Sequence, residues 1–489
     1  MIELGLQRIS RLLAETPLPW RAIHVAGTNG KGSICAYISS MLETYNRSDW
    51  RTSTSSPTLK HARFTSPHLI DRWDCITVNQ QTVPFKLFSH IEQRVLRRNE
   101  REGIKASEFE LLTATAFEIF TYEDIDVAVV EVGLGGRLDA TNIIGEQAGN
   151  PSQFQLAATK AFRPPPLVTA ISKIGLDHQA LLGNTLREIA REKAGIMKPG
   201  VPVVYDLSNS DEVKTELDLR ATPSRIVQWA DLGLPTPSIE TYVRHLFLAS
   251  ETDPERETAS PVPSHSQRNM SVAFRAAWTA LQQLNKVPTE FEHLPNPERV
   301  MLKILATSKI QHAWENIHFP GRLQSLNIQP LTGRTQDILL DGAHNAQSAE
   351  VLAAEVNKSR ATPSSQQQQA PSPSAVTWVL ACSSTKDVTE ILRILLQPGD
   401  TVFAVEFGPV DGMPWVQPLS SGAIAQAVES SSFSASANPV SAVACARDLL
   451  GALQEASDKA ESGPMVVAGS LYLVGDVLRL LRDRAARTE

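Results

Sequence analysis

Cysteine is scarce: Cys35, Cys75, Cys382 and Cys445 are spread over 489 residues, with no Cys-x-x-Cys pair among them. That excludes a disulfide-stapled scaffold and suits a reducing compartment. Long apolar runs are missing too. None approaches the roughly 20 residues that span a bilayer, so no membrane partner is expected. Positive charge is not in surplus, since 46 Lys and Arg stand against 53 Asp and Glu for a formal charge of −7. Nucleic-acid binders ordinarily carry a basic excess, so no nucleic-acid partner is expected. Small anionic ligands stay open, because an acidic protein can still bind phosphate locally. The opening MIELGLQRIS holds Glu3 and lacks the apolar core of a secretory signal. A cytoplasmic protein is expected, with Arg8 and Arg11 leaving a mitochondrial pool open.

What is present is ordinary globular material, 42% hydrophobic and 20% charged, in a chain long enough for two or three domains. The first 200 residues alternate helical and strand patterns, as an α/β domain with a parallel sheet does. Residues 22–26 and 126–132 read as buried strands, 168–172 as another, and 34–42 as a helix. The stretches 46–61 and 147–166 are weakly patterned loops, the second carrying three consecutive prolines. Residues 250–267 are a Pro/Ser-rich connection before a helix from Asn269 to about Leu284. A change of domain is expected near Pro320–Gly321, dividing the chain into 1–318 and 319–489. New strand signals follow at 338–340, 376–380 and 402–405. Residues 357–374 are low in complexity and read as a disordered insertion, and 417–440 are similarly Ser/Ala-rich.

The strongest local signal is HVAGTNGKGS, residues 24–33. A buried strand feeds a turn in which Gly27, Gly30 and Gly32 let backbone N–H groups converge, and a helix opens at Ser33. Lys31 adds a cation and the helix its positive end, the ingredients of a phosphate cradle. A hydroxyl near the lysine ordinarily meets the Mg²⁺ that accompanies a nucleotide. The match to the common nucleotide loop is partial, with Val25 where a first glycine belongs and Gly32 where Ser or Thr belongs. A ligand-free glycine-rich turn is the alternative.

Glu131 ends the strand DVAVVEV and is followed by GLGGRLDATN, residues 133–142. A carboxylate beyond a strand's carboxyl end, in a domain with a phosphate loop, suits a Mg²⁺ ligand; a strand-end salt bridge is the equal alternative. Asp177 and His178 precede a helix whose capping box is Thr185 and Glu188. Lys193 stands in its last turn. Spacing alone makes Lys193 a dipole partner and His178 a structural histidine.

Taken in order, GTNGKGS, FTSPHL (64–69), EVGLGGRLDATN (131–142), DH with EKAGI (177–196), FPGRLQ (319–324) and LLDGAHN (339–345) change that reading. The chain resembles the folylpolyglutamate synthase/dihydrofolate synthase family, a branch of the Mur-type amide ligases, over nearly its whole length. The resemblance implies an N-terminal P-loop ATPase domain with a parallel sheet and a smaller, Rossmann-like C-terminal α/β domain. It implies ATP as cofactor, Mg²⁺ at two sites, and L-glutamate joined to a folate-type carboxylate through an acyl phosphate. The wording GTNGKGS and the opening IELGLQRIS resemble the dihydrofolate synthase type, whose acceptor is dihydropteroate. A reduced folate is the alternative acceptor, alone or beside dihydropteroate in a bifunctional enzyme, and an inactive ATP- or folate-binding homologue is the alternative of another class. The usual form of the family implies a monomer.

By the same resemblance, Gly27, Thr28, Asn29, Gly30, Lys31, Gly32 and Ser33 hold the ATP phosphates, joined by Asn269 at the head of its helix and by Arg322 and Asp341. Ser66, Glu131 and His178 bind Mg²⁺, with Lys193 as a carbamate at the second metal, so that Lys193, His178 and Glu131 are the catalytic set. Phe109, Glu110 and Leu138 border the pterin, and His344 and Ser470 meet the glutamate.

Overall fold

The computed structural model describes residues 4–145, 163–221, 226, 264–287, 317, 320–360, 374–430 and 438–487. The chain divides into two compact units. The first comprises Met1–His68 and Trp73–Ile317, the second Leu69–Arg72 and His318–Glu489. The short excursion Leu69–Arg72 is tied to the second unit by Arg479, which donates to the Ile70 carbonyl, and by Arg482, which pairs with Asp71.

The first unit is built on a seven-stranded sheet of order β4-β3-β2-β5-β1-β6-β7. Its strands are β1 (Arg21–Ala26), β2 (His61–Phe64), β3 (Ile76–Val78), β4 (Gln81–Thr82), β5 (Val127–Glu131), β6 (Val168–Ile171) and β7 (Val203–Tyr205). β2, β5, β1, β6 and β7 run parallel, while β3 and β4 add an antiparallel edge. VAVVE is buried at every position, as a parallel strand covered on both faces must be. β1 lies between β5 and β6, so the loop leaving it opens at the carboxyl ends of three parallel strands, where α/β sheets bind ligands.

The second unit has a six-stranded sheet of order β12-β11-β10-β13-β9-β8. It consists of β8 (Gln324–Leu326), β9 (Ile338–Leu340), β10 (Thr377–Leu380), β11 (Thr401–Ala404), β12 (Ser441–Ala444) and β13 (Met465–Ala468), all parallel except β8 on β9. The α/β architecture expected from the alternating pattern in the first 200 residues, and from the resemblance for the rest, is thus present in both units. Among the described residues no helix is long and apolar enough to cross a membrane.

Four local expectations need correction. The helix after the phosphate loop starts at Lys31, not Ser33, and runs to Asn46. The stretch read as a loop from 46 to 61 contains a helical turn, Asp49–Ser53, and Asn46 clamps it by exchanging hydrogen bonds with Leu59. The later helix is Ser264–Gln283, so residues 264–267 are not connection and Asn269 does not head it. Residues 357–360 are not insertion but the last turn of the helix Ala346–Arg360, and 417–440 holds the helix Ser421–Glu429. The reason is clear at Arg360: its guanidinium is buried and pairs twice with the fully buried Asp400. The remainder of 357–374 and most of 147–166 lie outside the described residues.

Candidate functional site

The loop between β1 and its helix has the backbone that its glycines permit. Gly27 has φ +145° and Gly30 φ +89°, values an L side chain rarely adopts. Both are also closed to a side chain: a Cβ on Gly27 would lie 1.7 Å from Ser172 Oγ, and one on Gly30 2.3 Å from Asn269 Oδ1. Asn269 therefore sits over Gly30, six residues into its helix rather than at its start. Thr28 and Asn29 are pinned from β6's side, their N–H groups donating to the Lys173 carbonyl. Thr28 Oγ1 also donates to the Gly175 carbonyl. Gly32 and Ser33 fall in the first turn of the Lys31–Asn46 helix.

Lys31 and Glu131 face each other, Nζ to Oε1 at 3.8 Å, with the carboxylate only 5% exposed. The backbone N–H of Ser66 donates to Glu131 Oε2 at 3.2 Å. Loop lysine, strand-end carboxylate and the Ser66 segment are thus brought together from three separate stretches of sequence. Gly32 lies close by, since a Cβ there would stand 3.4 Å from Glu131 Oε2.

Lys193 is wholly buried in the last turn of Leu186–Ala194, and its amine donates to the Gly27 carbonyl at 2.7 Å. Burial pushes its pKa down to about 7, with Lys31 adding to the fall and Asp177 and Asp139 opposing it. The capping box of Thr185 and Glu188 that starts this helix is formed as the sequence predicts. His178 has left-handed φ of 52° and an exposed ring, 3.9 Å from Asp177 Oδ2.

Among the described residues no three His, Cys, Asp or Glu side chains gather as a ready-made metal cage. Mg²⁺ keeps waters and is ordinarily held by one or two carboxylates together with substrate phosphates. Glu131, beside the phosphate loop and the Ser66 segment, could supply a carboxylate of that kind.

Of the residues expected to border the pterin, Phe109 lies so close to the glycine run that a Cβ on Gly133 would stand 2.3 Å from its ring. Glu110 has another task already: Oε2 caps its own helix through the Ser107 N–H and pairs with Arg8, while Oε1 is buried without a hydrogen-bond partner among the described residues. Leu138 is half-buried.

In the second unit, Asp341 is buried and accepts from the Leu323 and Ala343 N–H groups, both at 2.7 Å. Burial raises its pKa, with Arg322 opposing. Arg322 is exposed. His344 Nδ1 lies 2.9 Å from the Gly342 carbonyl. Ser470 is buried and caps the helix Leu471–Ala485 by accepting from the Tyr472 N–H.

Sequence reasoning missed Asp139, the hub of the glycine-rich segment. It accepts from the Leu134 N–H, from the Thr141 N–H and from the Thr141 hydroxyl, which lies 2.8 Å from buried His24 Nε2. The signal was there, because an Asp followed two residues later by Thr is an N-cap pattern, and Asp139 caps Ala140–Ile143.

Comparison with known proteins places this geometry in a family. The model described as "Dihydrofolate synthetase, C-terminal domain" matches residues 324–480. A probable dihydrofolate synthetase of Schizosaccharomyces pombe is 35% identical over 488 residues, covering 98% of this chain and 99% of that protein. The dihydrofolate synthetase of Saccharomyces cerevisiae is 32% identical over 499 residues, covering 98% of each. Among solved structures, E. coli FolC in complex with DHPP and ADP superposes with a TM-score of 0.65 at 22% identity, covering 99% of this chain and 94% of that one.

Proposed function

Since the chain belongs to the dihydrofolate synthase/folylpolyglutamate synthase family, we propose that it is a dihydrofolate synthase, an ATP-dependent ligase joining L-glutamate to the carboxylate of 7,8-dihydropteroate. The observation that carries the choice within the family is the full-length similarity to two fungal dihydrofolate synthetases.

The chemistry asks two anions, a carboxylate and ATP, to meet. Phosphoryl transfer to the carboxylate gives an acyl phosphate; the glutamate amine adds to its carbonyl carbon, and collapse expels inorganic phosphate with the amide formed. In this reading the loop from Gly27 to Ser33 cradles the phosphates through its N–H groups and Lys31 Nζ, and Asn269 fixes the loop over Gly30. Glu131, Ser66, His178 and carbamylated Lys193 are the residues assigned to hold Mg²⁺, which when bound offsets the mutual repulsion of the reacting anions. Carbamylation needs a neutral amine, and the low pKa of buried Lys193 supports it. Phe109, Glu110 and Leu138 are assigned to the pterin, Arg322 and Asp341 to the nucleotide, His344 and Ser470 to the glutamate. Because Glu110 and Ser470 already cap helices, the contribution proposed for them is to shape the surroundings of the ligand. The working form proposed is a cytoplasmic monomer.

The test is the stoichiometry of phosphate release from ATP and Mg²⁺. The reading expects release that depends on dihydropteroate and L-glutamate together. Release that ignores L-glutamate would point to an ATPase of another kind.

A further inference from the structure

Strand β1 feeds the phosphate loop from its carboxyl end, and midway along it stands His24, opposite Val130 of β5 and Thr169 of β6. Its Nε2 lies 2.8 Å from Thr141 Oγ1, and that hydroxyl lies 2.5 Å from Asp139 Oδ1. All three side chains are buried. An aspartate cap on the turn Ala140–Ile143 needs only Asp139 and Thr141. Burying an imidazole to reach them goes beyond what the cap requires, because polar groups are costly to bury.

Each proton in this chain has one direction. Asp139 accepts backbone N–H groups on both oxygens, from Thr141 on Oδ1 and from Leu134 on Oδ2. Burial raises its pKa, while these bonds, the Thr141 hydroxyl and Lys31 oppose the rise. The Thr141 hydroxyl donates to Oδ1, so its oxygen has only lone pairs left for His24. Nε2 is therefore the donor. The neutral ring, whose pKa burial lowers to about 3, has one proton to give. Nδ1 is left bare, which agrees with its having no hydrogen-bond partner among the described residues. The other tautomer would strand a buried N–H, which folded proteins rarely tolerate.

The chain ends on a turn that Asp139 folds on itself: its N–H donates to the Gly136 carbonyl, and its carbonyl accepts from the Asn142 N–H. Leu138 rides on that turn, and Gly133 before it abuts Phe109. On the other flank the Arg137 N–H donates to the Glu192 carbonyl and Asn142 Nδ2 to the Gly195 carbonyl, at the end of the Lys193 helix. We propose that His24, acting through Thr141, is a positioning residue for the acceptor: it locks the turn that carries Leu138 onto the strand that feeds the phosphate loop. Acceptor and nucleotide are then placed from one strand, and reacting groups held in fixed mutual geometry react faster. This rests on the assignment of Leu138 to the acceptor side.

Steady-state kinetics with 7,8-dihydropteroate and ATP, each varied against saturating co-substrates, test it on the wild type, T141V, T141S, H24Q and L138A. T141V is expected to raise the KM for dihydropteroate about tenfold, the scale of losing one hydrogen bond to a charged group, with the KM for ATP near that of the wild type. T141S keeps the hydroxyl and H24Q an amide N–H close to the place of Nε2, so both are expected to stay near the wild type. An unchanged dihydropteroate KM in T141V beside a raised one in L138A overturns the role of the chain alone. Equal rises for both substrates, or a T141S as impaired as T141V, overturn it too, because they mark a merely structural tie. An L138A with wild-type kinetics overturns the acceptor assignment and this inference with it. A wild type that uses only tetrahydrofolate overturns the choice of acceptor instead, and the same comparison is then made with tetrahydrofolate. Should T141V fail to fold, ¹⁵N NMR of the imidazoles decides, with His24 assigned by its loss in H24Q. Protonation at Nε2 and a shift on adding dihydropteroate support the proposal, while protonation at Nδ1, or no response to dihydropteroate, contradicts it.

Discussion

A lysine amine that is to take up CO₂ must first be neutral: its nitrogen forms the new bond to carbon and a proton leaves. Lys193 meets that condition because it is buried against the Gly27 carbonyl, with its pKa brought down to about 7. Lys193→Ala should lower kcat by about 100-fold or more, the scale of losing one group that stabilises transferring charge, while ADP affinity changes far less. Short carboxylic acids should restore part of the rate; steady-state kinetics beside a nucleotide titration would reveal the split, and unchanged turnover would remove the role. His24 makes a separate prediction about stability. Burial, with Lys198 adding to it, lowers its pKa from the ordinary 6.5 to about 3. The unfolded chain therefore takes up this proton before the folded one does, and stability falls as pH drops from about 6.5 towards 3. The loss is about 1.4 kcal/mol per pH unit from this group. His24→Asn removes it, so urea melts at several pH values should give a shallower decline than in the wild type; parallel declines would contradict the assignment.

Among the elements, the phosphate loop was legible because glycine, lysine and a strand–helix switch are local signals that need no knowledge of the fold. Gly30→Ala should lower nucleotide affinity at least about tenfold, since it forces an L side chain into positive φ and onto Asn269; a nucleotide titration reads it directly. The start of the Asn269 helix was not legible. A Pro/Ser-rich stretch resembles a linker even where its last residues, 264–267, are already helical. Arg360 shows a different limit. Leu352, Val356 and Arg360 continue one buried stripe at four-residue spacing, but composition there turns polar and repetitive, and only the tertiary partner shows why the arginine belongs inside. Asp400 accepts from Arg360, from the Val376 and Gln397 N–H groups and from Trp378 Nε1. Asp400→Ala strands a buried guanidinium and should destabilise the second unit by about 3–5 kcal/mol, measured by chemical denaturation with Trp378 as a local reporter.

For the whole molecule, the sequence carried the α/β class and the strands β1, β5, β6, β9, β10 and β11, because buried parallel strands announce themselves as continuous apolar runs, but it did not carry the other seven described strands. It did not carry the return of Leu69–Arg72 to the second unit, which depends on Arg479 and Arg482 more than 400 positions away in sequence. Nor could spacing give Lys193 a role; resemblance alone did that, and the structure adds the buried, nearly neutral amine that makes the role chemically reasonable. In the proposed function, the family's glutamate-joining chemistry is directed to dihydropteroate. Its most direct test is incorporation of labelled L-glutamate by the purified protein with ATP and Mg²⁺, offering 7,8-dihydropteroate and tetrahydrofolate as separate acceptors. Labelled product from dihydropteroate, and little or none from tetrahydrofolate, is the predicted result. Product from tetrahydrofolate alone would contradict it and make the chain a folylpolyglutamate synthase.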